Sequence, residues 1–103
     1  MEPTPITDYI LTPHAQWELS RRSLSEATIH AILSAPEQRF EVRPGRFVLQ
    51  SKVVSAHPGK TVLVRVFVDV DRTPAEVVTA YQTSKIAKYW RDDSSSGVYD
   101  SGV

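Results

Sequence analysis

The spacing of apolar residues changes character at Pro36. Before it, apolar positions recur at helical intervals: Ala15 and Leu19, then Ile29, Ile32 and Leu33. After it they alternate with polar ones, as strands require. Thr12-Pro13 reads as N-cap and first helical residue, because proline there loses no needed N–H. A first helix is expected from Pro13 to about Arg22, preceded by a short strand at Asp8–Leu11. In that helix Ala15 and Leu19 face the core, while His14, Glu18 and Arg21 share a different stripe. Ser23 and Glu26 have capping-box spacing, with Ser25 as competing cap, and Leu24 plugs the corner. The second helix runs to about Ser34 and Pro36 ends it.

Gln38–Arg43 and Arg46–Val54 flank the turn dipeptide Pro44-Gly45 and read as a hairpin. His57-Pro58-Gly59-Lys60 is the next turn. In Thr61–Asp71, Val62, Val64, Val66, Val68 and Val70 point one way; Leu63, Arg65, Phe67 and Asp69 point the other. The valine face is expected beneath the helices. The opposite face is half apolar, which calls for partial cover. A turn containing Pro74 leads to a last strand, Glu76–Gln82, with Val77, Thr79 and Tyr81 on one face and Val78 and Ala80 on the other. Thr83-Ser84 caps a short helix, Lys85–Arg91. The expected fold class is α+β: two N-terminal helices on a 4–5 stranded antiparallel sheet, then a short C-terminal helix. Residues 1–7 read as a flexible arm, 8–91 as one domain, and 92–103, rich in Ser, Asp and Gly, as a flexible tail.

Composition narrows the function classes. With 41% apolar and 23% charged residues the chain has the balance of a globular protein. It has no cysteine, which excludes a disulfide scaffold, a thiolate zinc site and a thiol nucleophile. No apolar run approaches the roughly 20 residues of a membrane span. Met-Glu-Pro-Thr-Pro lacks the basic and apolar regions of a secretory signal, so a cytoplasmic location is expected. Net charge is zero, but Asp8–Arg91 holds 12 basic against 8 acidic residues, a net +4. That tolerates a nucleic-acid partner without demanding one. His14, His30 and His57 lie on different elements with no His-x-x-x-His pair, so no metal or other cofactor is expected.

His14-Ala15 followed by Arg21-Arg22-Ser23-Leu24-Ser25 resembles the opening of the domain-of-unknown-function family numbered 4258. Pro36 fits the end of that family's second helix, Ala80-Tyr81 its closing Thr-x-Tyr, and Thr83–Trp90 an ending found in some members. That family in turn resembles the RelE/ParE toxin superfamily, whose members cleave messenger RNA or inhibit DNA gyrase and are neutralised by a cognate antitoxin. Two residues depart from the pattern: Glu18 replaces a common Arg, and Ser23 a common Gly.

The resemblance implies a bacterial toxin-like endoribonuclease acting without metal on messenger RNA, with an antitoxin or other protein partner and RNA or the ribosome as further partners. Such cleavage needs a group to take the 2′-OH proton, one to protonate the leaving oxygen, and cations around the phosphorane-like charge. His14, Arg65 and Tyr81 are the candidate catalytic residues; Arg22, Lys85 and Lys88 are the candidate RNA-binding residues. Each has a plainer role. His14 can serve a neighbouring carboxylate, Arg65 can pair with Asp69 or Glu76, and Tyr81 can be core. Arg22 suits a helix C-terminus, and the two lysines suit a solvated face. Phe40, Phe47, Phe67 and Tyr81 do not read as the interleaved basic–aromatic pattern of an RNA-recognition sheet. Two alternatives stand beside the nuclease: a ParE-like gyrase inhibitor, and a non-catalytic protein-binding module using a half-apolar face (Leu63, Phe67, Val77) or an exposed sheet edge.

Overall fold

The computed structural model describes residues 3–54 and 59–92. Their elements follow in chain order: β1 (Tyr9–Leu11), α1 (Pro13–Arg21), α2 (Glu26–Ser34), β2 (Gln38–Arg43), β3 (Arg46–Val54), β4 (Thr61–Asp69), β5 (Ala75–Thr83) and α3 (Ile86–Tyr89). The five strands form one sheet in the order β1-β5-β4-β3-β2. The class is α+β, as the periodicities predict, but the sheet is mixed and not antiparallel. β1 runs parallel to β5, pairing Tyr9 with Ala75 and Leu11 with Val77. The connection explains it: α1, α2 and three strands intervene before the chain returns beside β1, so no hairpin constrains the pair's direction.

Local chemistry sets the helix ends. Thr12 Oγ1 accepts the Ala15 N–H at 3.0 Å and caps α1. At the corner Ser25 wins the competition for the cap of α2, accepting the Thr28 N–H at 3.1 Å. Ser23 sits between the helices at φ 58°, a backbone region that Gly enters more easily. Gly45 takes φ 83° in the β2–β3 turn, and the Asp71 side chain packs so close that a Cβ there would lie 2.8 Å from it.

The core lies between the helices and one sheet face. Ala15 and Leu19 of α1, Leu24 of the corner, and Ile29, Ile32 and Leu33 of α2 pack on Leu49, Val62, Val64, Val66, Val68, Val77 and Ala80. β4 ends at Asp69, two residues earlier than expected; Val70 still packs against this cluster. Two expectations fail here. Ile6, in the stretch read as an arm, is buried and donates its N–H to the Leu33 carbonyl at 2.8 Å. Val77 joins Ala80 in the core instead of sharing the face of Thr79 and Tyr81. The cause is a break in register: Phe67 pairs with Thr79 but Val68 with Val77, so Val78 is an extra residue and the alternation flips.

The second sheet face is partly covered, by the C-terminal segment. α3 is shorter than expected, with Lys85 at its N-cap position; the Lys85 N–H donates to Thr83 Oγ1 at 3.0 Å. Residues 89–91 lie against β2 and β3, where Gln38 and Gln50 bind their backbone. His57 and its turn partner Pro58, and the expected tail from 93 onward, fall outside the described residues.

Candidate functional site

Register places Gln38, Gln50, Arg65 and Tyr81 in one row across β2, β3, β4 and β5, on the face turned away from the helices. Arg65 is its centre, on the middle strand and only 8% exposed. Its Nε donates to Gln50 Oε1 at 2.8 Å and its Nη1 to the Tyr81 hydroxyl at 2.8 Å. Gln50 Nε2 donates onward to Gln38 Oε1 at 2.7 Å and to the Tyr89 carbonyl at 3.1 Å. Gln38 Oε1 also accepts the Arg91 N–H at 3.1 Å, while Gln38 Nε2 donates to the Arg91 carbonyl. A buried guanidinium is costly unless its donors are met. Here one neutral amide and one phenol accept from it, so these bonds leave its positive charge uncancelled. The carboxylates expected beside Arg65 are engaged elsewhere. Asp69 holds Arg46 through bonds of 2.6 and 3.0 Å, and Glu76 accepts Arg72 at 3.3 Å.

Aromatic rings surround the guanidinium. The Tyr89 centroid lies 4.4 Å from the Arg65 carbon, Phe67 5.2 Å and Tyr81 5.8 Å. The rings brace one another: Tyr81 stands edge-on to Tyr89 at 6.3 Å and stacks with Phe67 at 6.0 Å. Three more cations lie over rings nearby, Lys52 on Trp90 at 4.1 Å, Arg91 on Phe40 at 3.6 Å and Lys88 on Tyr89 at 5.3 Å. The interleaving of bases and aromatics that the linear sequence lacks is thus assembled by the sheet and α3 together. Phe47 takes no part, since it packs against the helix-side core with Arg39 over its ring.

The Lys88 ammonium holds the Tyr89 hydroxyl below the usual phenol range; burial opposes this, and Tyr81 and Arg65 add to the lowering. Its neighbours thus favour the ionised form of Tyr89, while the Tyr81 hydroxyl accepts from Arg65.

The six candidates divide. Arg65, Tyr81 and Lys88 meet on this face. His14 does not: it projects from α1, on the other side of the sheet, with 67% of its side chain exposed, 3.8 Å from Glu18 and beside the Trp17 ring. Arg22 also belongs to the helix layer. Its guanidinium donates to the Ala80 carbonyl at 2.8 Å and pairs with Glu18 at 2.6 Å, tying the end of α1 to β5. Lys85 is exposed at the start of α3. Glu18 itself is buried, contrary to its assignment to a polar stripe. Burial alone would raise the pKa of its carboxyl; Arg21, Arg22 and His14 more than compensate and bring it below the usual range. Glu18 is thus an internal counter-ion for neighbouring cations.

Gln38, Gln50, Tyr89 and Arg91 are members of the site that sequence reasoning missed. One signal was available: Gln50 follows Phe47-Val48-Leu49, and an amide continuing an apolar strand needs a buried partner. Among the described residues no group of three His, Asp or Glu side chains is placed to hold a metal ion, and no helix is long and apolar enough to cross a membrane. No protein-family model, curated protein or solved structure matches the chain.

Proposed function

We propose that the face built on Arg65 binds RNA and cleaves it without metal, as the resemblance to RelE-like toxins implies. The observation that carries this reading is the grouping of Arg65, Tyr81, Tyr89 and Lys88. It brings a fixed positive charge, a proton donor and an acidified phenol within one cluster of contacts. The chemistry is transesterification. The 2′-oxygen attacks phosphorus as its proton passes to ionised Tyr89. The bond to the 5′-oxygen breaks, and that oxygen takes the Tyr81 proton, leaving a 2′,3′-cyclic phosphate and a 5′-hydroxyl. Arg65 faces the charge that develops on the non-bridging oxygens. The Lys52–Trp90 and Arg91–Phe40 pairs add the stacking surfaces and cations of a single-strand platform. His14 has no part in this scheme, and the acid–base pair is the two tyrosines.

Purified protein incubated with messenger RNA in the presence of a chelator tests the reading. Cleavage ends should carry cyclic phosphate, and Arg65→Ala and Tyr89→Phe should each slow cutting by about 10²–10⁴-fold. Wild-type protein that leaves RNA whole and unbound overturns it. DNA damage with intact RNA would point to the gyrase alternative.

The protein-binding alternative draws support from the sheet edges. β2 is an outermost strand with Val42 exposed, an edge that an extended peptide can join. The apolar face proposed for a partner segment is not available in that form, because Leu63 and Val77 are completely buried.

A further inference from the structure

We propose that residues 84–91 form a displaceable lid over Arg65, which lifts as a unit to let a ligand phosphate reach the guanidinium. The ligand rests on the RNA reading above; the motion does not. Three observations converge. First, at 8% exposure Arg65 cannot be approached by a phosphodiester while Tyr89 lies over it at 4.4 Å. Second, what holds the segment down is shallow. No residue of α3 is buried, and no side chain caps its first turn. Its anchors on the sheet are glutamine bonds to the Tyr89 and Arg91 backbone, with rings and cations at the surface, groups that water can serve instead. A groove of about 530 Å³ beside Trp90, walled by Pro3, Pro5, Pro36 and Lys52, leaves the indole room to move. Third, what lies beneath is already satisfied by the sheet. Arg65 keeps its Gln50 and Tyr81 bonds when the lid lifts, so it stays oriented, and the ring of Tyr89 is the contact a phosphate would replace.

The lid also carries Tyr89 and Lys88. Closing on a bound strand returns the proton acceptor to the phosphate, so the catalytic set is complete only around its ligand. In the closed, empty state the same phenol blocks the cation it works with.

Hydrogen exchange on the RNA-free full chain tests the motion. The Lys88 and Trp90 amides, bonded within the segment to Lys85 and Ile86, should exchange together and at least about 100-fold faster than Val66 of β4. Gln38→Ala, which removes an anchor without touching either amide bond, should speed both by about tenfold. It should also tighten binding of a short single-stranded RNA by the same factor, because the closed state no longer competes. Lys88 and Trp90 exchanging as slowly as Val66, or unmoved by Gln38→Ala, overturns the lid. RNA cut by a protein with such a rigid segment removes the lid and spares the nuclease. A segment that opens as described over a face that binds no RNA establishes the motion and removes the RNA reading.

Discussion

Asp69 shows how one carboxylate can hold a strand end. Its two bonds to Arg46 link the first residue of β3 to the last of β4, and the Arg46 hydrogen bond outweighs burial to bring its pKa below the usual range. A lowered native pKa adds stability that is complete above the unfolded value, about 3.9, and disappears as pH falls through the native one. Wild-type protein should therefore lose stability below about pH 4. Asp69→Ala should cost about 1.5–3 kcal/mol at neutral pH in urea denaturation and flatten that acid limb. Glu18 acts in the same direction over the same range, so Glu18→Gln should flatten a further part of the limb. Ser23 predicts the opposite sign. At φ 58° its Cβ is crowded, and Ser23→Gly should stabilise the protein by up to about 1 kcal/mol, read as a raised urea midpoint. At this scale the sequence was partly legible. The strain at Ser23 could be expected from the turn it must make. The pairing of Asp69 with Arg46 rather than Arg65 could not, because charge choice depends on cross-strand register, which no local pattern encodes.

The elements themselves were written plainly. The cap at Thr12, the stop at Pro36 and the turn at Pro44-Gly45 follow from backbone chemistry a few residues long, Ser25 was one of two caps offered at the corner, and every expected helix and strand is present. Ser25→Ala should cost about 1 kcal/mol by removing the acceptor for the Thr28 N–H, measurable by thermal unfolding. Leu33→Ala, at the buried end of α2, should cost about 2–5 kcal/mol. What escaped was any property that needs two elements at once. The extra residue at Val78 inverts the alternation of β5, and the two-residue period of the sequence carries no trace of it. The direction of β1 likewise depends on the path of everything between. The candidate site suffered the same limit: Arg65 and Tyr81 were found by type and face, whereas Gln38, Gln50 and Tyr89 join them only through the lateral row and the returning C-terminal segment.

Across the whole molecule, the sheet divides two kinds of chemistry. One side is sealed by α1 and α2 over an apolar floor; the other carries cations, rings and amides beneath a thin cover. That division separates His14 from Arg65, although both residue types suit phosphoryl transfer. His14→Ala should accordingly leave RNA cleavage within about twofold of wild type in the assay that loses activity with Tyr89→Phe. A pH profile of cleavage should rise with the ionisation of a phenol rather than an imidazole, and substituting Lys88 by Met should move that rise to higher pH because the cation that favours the phenolate is gone.

The placement of β1 beside β5 has a consequence for biosynthesis. Tyr9–Leu11 leave the ribosome early, yet the backbone that receives them, Ala75–Val77, is made far later. Until then β1 and the β5-facing side of β4 lack the strand that pairs with both. A ribosome stalled short of Glu76 should hold a protease-sensitive polypeptide, and one that has released Thr83 a resistant one, so that assembly waits for nearly the last codon of the sheet.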